Sequence, residues 1–525
     1  MSESNQSNIT SANNKRIAKN TMMLYFRMLI TMLVGLYASR VVLQVLGVSD
    51  YGLYSVVGGV VTMFAFINGS MAAGTQRFIT FELGIGNTEA LKKVFSTSIV
   101  VHLILIAIIM ILAETIGLWL VITEMVFDPS RETAALWVYQ FSILTIAISL
   151  IQVPFMASLI AHEKMDIYAY MSIYDAVVKL LIVFLIQWSP IDELIYYAGL
   201  MCLASFSSAF LYIWYCRRHY EECRFSFDFD KKTFKKMFSF SAWDTVGSLA
   251  FVGQAQGVNI IINIFYGTVV NAARGISVTV NTMVMQFINN FLMAANPQLI
   301  KYYANNQIKE MQQLAINIAN LSTFLLLFIG IPVFVEIEYL LQLWLGEYPD
   351  YTPAFVRVLL LQSLVQSMGT PTMRSLHAVG NIRMMNILVG SLLLIILPLS
   401  YVLFKLGVSP VIVLICNIIP WLVAIPIRLF LLKKYINFSF WKYINEVLVK
   451  GSIISVLTFI LPYVVHKSLS FDGLIRFLTV GITSVISSAI LIYYLGLNKQ
   501  LRTLMVAKTK SFLKIKLGIN HEQGK

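Results

Sequence analysis

Arginine residues within long apolar stretches are the features of this sequence that point most directly to chemistry. Arg27 and Arg40 lie in the first such stretch, and Arg274 lies near the start of a later one. A charge in apolar surroundings is costly unless it faces water or a partner. A guanidinium group can bind two oxygens of one phosphate. We therefore expect these arginines to bind an anionic, phosphate-bearing ligand; alternatively, Arg40 and Arg274 only extend to a nearby polar boundary.

A polar stripe surrounds Arg274. Asn271, Ser277 and Asn281 share a helical face with it, since residues three or four apart in a helix are neighbours. Such a stripe on an otherwise apolar helix is typical of the wall of a water-filled cavity. We expect Asn271 and Asn281 to contact the same ligand as Arg274.

Two acidic residues in apolar stretches could bind a proton or a sodium ion. Asp175 and Lys179 are four residues apart, which lets them pair on one helical face. The pair is either a self-neutralised packing bridge or a switch, in which Asp175 accepts the ion and Lys179 is released to the ligand. Asp244 holds in its own stretch the place that Arg27 holds in the first, so we expect these two side chains to form an ion pair.

The elements that carry these residues are long enough to cross a membrane. Of 525 residues, 58% are hydrophobic and 12% are charged, and the mean hydropathy is +0.76. A helix needs about 20 apolar residues to cross the hydrocarbon layer, which predicts an all-α polytopic membrane protein with about fourteen transmembrane helices. The expected spans are 21–46, 51–74, 94–118, 134–161, 167–187, 194–215, 239–264, 268–296, 314–336, 353–379, 384–404, 409–432, 448–466 and 473–496.

Lysine and arginine alternate between rich and poor loops along the chain. Roughly 27 basic residues fall on one side of the expected membrane against about 3 on the other. Because basic loops stay in the cytoplasm, we expect both termini there. The net charge of +13 is dispersed over these short loops, which argues against a nucleic-acid surface.

An internal repeat indicates two lobes. The hexads MAAGTQ at 71–76 and MAANPQ at 293–298 close helices six spans apart. An even repeat length keeps both halves in the same orientation, which is a parallel repeat. We expect a six-helix lobe at 1–215, a basic cytoplasmic linker at 216–238, a second six-helix lobe at 239–432, and two further helices with a basic tail at 433–525.

Two segments at the end of the first span carry a family resemblance: SRVV at 39–42 and LGVSDYGLY at 46–54. They resemble the opening of bacterial polysaccharide transporters of the O-antigen flippase type. Multidrug and toxin extrusion (MATE) antiporters and lipid II flippases belong to the same superfamily of multidrug, oligosaccharidyl-lipid and polysaccharide (MOP) exporters. The resemblance implies a V-shaped pair of bundles whose cationic cavity holds the pyrophosphate of an undecaprenyl-linked oligosaccharide.

Under this resemblance, the protein flips the lipid-linked oligosaccharide to the outer leaflet of the bacterial inner membrane by alternating access. Membrane lipids, a coupling H⁺ or Na⁺, and the polymerase and glycosyltransferases of the same pathway would be its partners. The substrate-binding candidates are Arg27, Arg40, Lys179, Asn271, Arg274 and Asn281, and the ion-coupling candidates are Asp175 and Asp244.

Two other functions remain open. A cation-coupled multidrug antiporter of the same fold would need an acidic or aromatic cavity, whereas the intramembrane charges here are mostly positive. A membrane glycosyltransferase would need a carboxylate pair in a sizeable loop, and we find neither such a loop nor a nucleophile or phosphate-loop motif. Cys216, His219 and Cys223 do not have the spacing of a common zinc site, so we expect no metal or cofactor.

Overall fold

The computed structural model describes residues 16–35, 37–38, 41–42, 45–46, 50, 53–54, 65–124, 129–224, 230–469 and 473–496. Within these residues the chain is helical and contains no strand. Six long helices form the first lobe: α1 Arg16–Gly35, α2 Ala65–Ile85, α3 Thr88–Thr123, α4 Glu132–Ala161, α5 Met165–Trp188 and α6 Glu193–His219. Six more form the second: α7 Lys231–Gly267, α8 268–304, α9 Ile308–Val335, α10 Thr352–Val379, α11 Arg383–Lys405 and α12 Pro410–Ile436. Two helices follow: α13 Phe440–Ser468 and α14 Leu474–Gly496.

The predicted all-α membrane fold is confirmed. Eleven helices in the described part of the chain are long and apolar enough to cross a membrane. The remaining three, α2, α8 and α10, are equally long but more polar. Their polar residues face other helices and the cavities described below, which explains why helices of lower hydropathy still belong to the bundle.

A sharp turn separates α7 from α8. Gly267 has a φ of 74° at this point, a left-handed conformation that glycine adopts without a steric penalty. After this turn Arg274 of α8 donates a hydrogen bond to the Ala255 carbonyl of α7, so the chain folds back on itself here.

The first lobe has its own apolar core where α3, α4, α5 and α6 meet. Tyr139 is fully buried there, and its hydroxyl donates to the Ala113 carbonyl at 2.6 Å. At the margin of this core, Arg131 forms ion pairs with Asp50 and, at 2.5 Å, with Asp192. Burial disfavours the charged form of Asp192, but the hydrogen bond and charge of Arg131, together with backbone N–H donors at the start of α6, outweigh it and lower the pKa of this carboxyl.

The second lobe has a matching core between α7, α8, α10, α11 and α12, with Phe355 and Phe404 buried at its centre. The α13–α14 pair attaches to this lobe through Glu336, whose buried carboxylate follows α9. Glu336 pairs with His466 of α13 at 2.6 Å and with Arg476 of α14 at 3.3 Å. One buried carboxylate thus joins three helices.

A third, larger core joins the lobes at one end of the bundle. It includes Phe95 and Phe155 from the first lobe and Phe240 and Leu376 from the second. We call this the basic end; α1 begins there, and it carries Lys92, Lys93, Lys164, Lys301, Arg383, Lys433 and Lys434. The other end, which carries Arg131, Lys405 and Lys467, is called the opposite end.

Candidate functional site

A cavity of about 710 Å³ lies within the first lobe, between α1, α4, α5 and α6. Arg27, Asp175 and Lys179 line it. The Lys179 ammonium lies 2.7 Å from the Asp175 carboxylate, so the pair expected from their spacing forms. Both side chains border the cavity, and neither the packing bridge nor the switch expected for this pair is tested by this geometry. We call this the lobe-one cavity.

Arg27 does not form the expected ion pair with Asp244. Its Nη2 donates to Asn290 Oδ1 of α8 at 3.0 Å, and its guanidinium lies over the Tyr168 ring at 4.9 Å. Asp244 lies on α7, which contacts α2 and α10, whereas Arg27 of α1 contacts α5 and α8. Arg27 and Asp244 occupy similar positions along α1 and α7, but these two helices do not bring them together.

A second cavity, of about 550 Å³, lies between α2 and the second lobe. Asp244, Asn281, Arg374, His377 and Arg428 line it. Asp244 Oδ1 lies 3.4 Å from His377 Nε2. Asn281, the candidate at the inner end of the polar stripe, accepts a hydrogen bond from the Ser363 hydroxyl at 2.7 Å. We call this the lobe-two cavity.

Two arginines give the lobe-two cavity its chemistry. Arg428 is 4% exposed, and the Nε atoms of Arg374 and Arg428 are both buried with no hydrogen-bond partner among the described residues. Two guanidinium groups face one carboxylate, which leaves one positive charge in excess when His377 is neutral. Arg27 and Lys179 against Asp175 leave the same excess in the lobe-one cavity. Buried donors without partners are costly, so a ligand that accepts hydrogen bonds would stabilise them.

Arg428 is the residue that the sequence reasoning missed. It lies in the basic-end half of an apolar helix, close to the basic residues Lys433 and Lys434. The rule applied to Arg27, that a charge within an apolar span points to a cavity, would have identified it. Arg374 also lies within an apolar stretch, but its spacing in the sequence alone assigns it no ligand.

Two of the other candidates, Arg274 and Asn271, lie outside both cavities. Arg274 packs between α8 and α7, where its Nη2 donates to the Ala255 carbonyl at 3.0 Å, and it is not among the residues that line either cavity. Asn271 also lies outside both linings, and its buried Oδ1 has no hydrogen-bond partner among the described residues. Arg274 precedes Asn281 by seven residues, or about 10 Å of helix, which explains why only one end of the stripe reaches the cavity. Arg40 lies outside the described residues.

The lobes are bound to each other at the basic end. Glu163, in the turn between α4 and α5, pairs with Arg16 of α1 at 2.6 Å and with Lys301 of α8 at 2.7 Å. On the other side of the bundle, Arg77 of α2 donates to carbonyls at the end of α10, including those of Ala378 and Val379 at 3.2 Å each. We call these two sets of contacts the basic-end seal. Both sets of contacts join helices of the first lobe to helices of the second.

Comparison with known proteins identifies the family of this chain. A family model described as polysaccharide biosynthesis protein matches residues 17–303, which is more than half of the chain. The chain belongs to this family. A search of curated protein sequences found no significant match. The fold is the one found in multi-pass membrane transporters of the MOP superfamily.

Solved structures support the fold of this polysaccharide biosynthesis protein. An outward-facing multidrug resistance MATE transporter is similar at a TM-score of 0.68 and 13% identity, over 81% of this chain and 96% of that one. A MATE transporter in the bent conformation is similar at a TM-score of 0.69 and 14% identity, over 83% of this chain and 98% of that one. A MOP transporter from Pyrococcus furiosus is similar at a TM-score of 0.65 and 13% identity, over 81% of this chain and 96% of that one. That structure is described as having a binding pocket of reverse polarity, which suggests a different function. At these identities the likeness concerns the fold alone.

Proposed function

We propose that this transporter flips a lipid-linked oligosaccharide, held by its pyrophosphate, from the cytoplasmic to the outer leaflet of a bacterial inner membrane. The observation that carries the proposal is the pair of buried arginines in the lobe-two cavity, Arg374 and Arg428, whose Nε donors lack partners in the described part of the chain. Planar guanidinium groups suit phosphate oxygens in geometry and charge. Arg27 and Lys179 of the lobe-one cavity supply the second pair of positive groups.

Two cavities, one in each lobe, fit a ligand that is larger than a phosphate alone. In our proposal the pyrophosphate contacts the arginines while the sugar occupies the remaining volume and the lipid tail stays in the bilayer. The basic-end seal corresponds to a state that is closed to the cytoplasm, and alternating access requires it to break and re-form. The glycosyltransferases and the polymerase of the pathway would then act before and after this step.

The membrane potential favours export of this substrate. A pyrophosphate headgroup carries about two negative charges, and an inside-negative potential contributes roughly 2.3 kcal/mol per charge per 100 mV to outward movement. We assign the coupling ion, H⁺ or Na⁺, to Asp244 in the lobe-two cavity, with Asp175 as the second candidate. Asp244 is favoured because Asp175 already has an ammonium partner at 2.7 Å.

A multidrug antiporter is the competing function, because several structures of similar fold are MATE transporters. Pocket polarity is the feature that separates the two. A cationic drug requires negative or aromatic lining, whereas each cavity here has one more positive group than negative. Polarity therefore favours the anionic substrate.

The test is export of glycan in a strain that lacks the gene and is complemented with variants. Arg374→Ala and Arg428→Ala should each reduce surface glycan by roughly tenfold or more, since a lost charge-assisted bond to phosphate is worth about 1.5–3 kcal/mol. Arg374→Lys should restore only part of the export, because an ammonium lacks the bidentate fork. Arg357→Ala is the matched control: Arg357 is in the same helix as Arg374 but pairs with Glu338 at 2.7 Å.

Membrane protein levels must be equal across the variants. Parental glycan from both cavity variants would contradict the proposal. So would resistance to cationic dyes conferred by the parent protein, which would favour the multidrug antiporter.

A further inference from the structure

A third cavity, of about 850 Å³, lies at the basic end and is lined in part by Arg77 of the seal. The end of α2, the start of α7 and the turn between α10 and α11 form its walls. It is thus placed where the start of a transmembrane helix meets the membrane surface. We call it the basic-end cavity.

The charges of the basic-end cavity are strongly biased. Three exposed lysines of α7, at positions i, i+3 and i+4, share one face of that helix. None of them has an ion-pair partner within the described part of the chain. Together with two arginines, these lysines give the cavity five positive groups, and the lining contains one carboxylate, that of Glu82. The positive groups are Arg77, Lys232, Lys235, Lys236 and Arg383. Such a cluster at a membrane surface attracts anionic headgroups.

An aromatic residue gives this cavity an interfacial character as well. The guanidinium of Arg383 lies 4.9 Å from the ring centre of Trp243, which also lines the cavity. Tryptophan is enriched where lipid headgroups meet the hydrocarbon layer. A ligand with both a phosphate and an adjoining apolar part would fit better here than a soluble anion.

Arg77 connects the cavity to the basic-end seal. Its Nε donates to the His377 carbonyl at 3.3 Å, and its Nη2 donates to Ala378 and Val379. Its Nη1 has no hydrogen-bond partner among the described residues. The guanidinium also lies over Phe78, at 4.6 Å from the ring centre.

Gly380 makes this position of Arg77 possible. Its φ is 88°, and a Cβ at this residue would lie 2.7 Å from Arg77 Cζ, which is too close. A side chain here would therefore displace the guanidinium without removing its charge.

We propose that the basic-end cavity binds a phosphate-bearing headgroup of the cytoplasmic leaflet, and that binding weakens the seal by drawing Arg77 away from the α10 carbonyls. Neutral carbonyls at 3.2–3.3 Å make longer and weaker bonds than a charged phosphate oxygen, which forms bonds about twice as strong. The headgroup thereby competes for the same donors. The effect on transport rests on the proposed function, whereas headgroup binding does not.

Binding is tested on the full-length protein in phosphatidylcholine nanodiscs, with phosphatidylglycerol added as the lipid probe and inorganic pyrophosphate as the soluble probe. Native mass spectrometry should show that Lys232→Gln/Lys236→Gln weakens the first bound phosphatidylglycerol by roughly tenfold or more, as expected for two surface lysines. The control, Lys433→Gln/Lys434→Gln, makes the same change of charge at the same end but outside the cavity, and should bind like the parent. If Lys232→Gln/Lys236→Gln weakens the binding of pyrophosphate but not that of phosphatidylglycerol, the cavity is still a phosphate site, and its ligand is a soluble diphosphate instead of a lipid headgroup. Equal binding of both probes by the two double variants would overturn the site.

Coupling to the seal is tested by hydrogen–deuterium exchange across residues 376–383. In the parent, phosphatidylglycerol should accelerate exchange of this segment, and Lys232→Gln/Lys236→Gln should abolish the acceleration. Gly380→Ala should exchange rapidly with or without phosphatidylglycerol, because Arg77 is displaced in both cases. Binding without any change in exchange would overturn the coupling. Neither measurement depends on glycan export, so a failure here is distinguishable from a failure of the proposed function.

Discussion

At the scale of single residues, the most informative feature is how charges are held within the bundle. Asp175 has an ammonium partner from its own helix, whereas Asp244 faces a histidine and two arginines from other helices. The first pair is local and can form in an isolated helix. The second group exists only in the folded lobe, which makes it the better candidate for a site that changes during transport.

Asp244→Asn should therefore reduce glycan export by about tenfold, or alter its dependence on external pH or sodium, because the variant cannot bind a coupling cation through charge. Glu114→Gln is the control, since Glu114 is exposed and accepts only a hydrogen bond from Gln140 at 3.2 Å. Export is measured by surface glycan across a pH and sodium series. Similar, small effects of both substitutions would remove Asp244 from the mechanism.

At the scale of helices, close packing depends on small residues. Gly253 and Gly257 form a GxxxG step on α7, and both face α11. A Cβ at Gly257 would lie 2.5 Å from a methyl group of Leu397, whereas one at Gly253 would make an ordinary contact of 3.7 Å with Leu394. The step brings two helices of the second lobe together at the side of the lobe-two cavity.

Gly257→Ala should destabilise the protein by about 1–3 kcal/mol, the usual cost of overpacking a well-packed contact. Gly275→Ala provides the control: it is also helical, but no atom lies within 4 Å of its added Cβ. That substitution should stabilise the helix by roughly 0.5–1 kcal/mol. Thermal unfolding of both variants in detergent measures the difference, and a Gly257→Ala protein as stable as the parent would show that α11 moves aside freely.

At the scale of the whole molecule, the described contacts between the lobes concentrate at the basic end. The shared apolar core, the Glu163 ion pairs and the Arg77 hydrogen bonds all lie there. If the basic end faces the cytoplasm, this arrangement is the state that has closed behind its substrate.

That orientation is open to a direct test. A cysteine introduced as Lys231→Cys in a Cys416→Ser background should react with an impermeant maleimide only after the cytoplasmic face is exposed, because basic loops remain inside. Lys467→Cys, at the opposite end, should react in intact cells. The native residues Cys202, Cys216 and Cys223 are buried and should contribute little background. Labelling with the reverse sidedness would invert the topology and, with it, the direction of transport.

The sequence by itself determined those features that depend on the order of residues within one segment. Apolar length and the alternation of basic loops predicted a polytopic helical bundle, and a spacing of four predicted the Asp175–Lys179 pair. These features follow from the rise of a helix and the cost of charge in a membrane, which act within one segment. The family resemblance added the class of transporter.

The tertiary structure alone decided which charges meet. Arg374 and Arg428 are 54 residues apart and share a cavity, whereas Arg27 meets Asn290 instead of Asp244. The apolar surfaces of fourteen helices are chemically alike, so hydrophobicity does not rank one neighbour above another. Close packing of small and large side chains, together with the few buried hydrogen bonds, makes that choice. It is a property of the folded bundle, and no periodicity within a single helix records it.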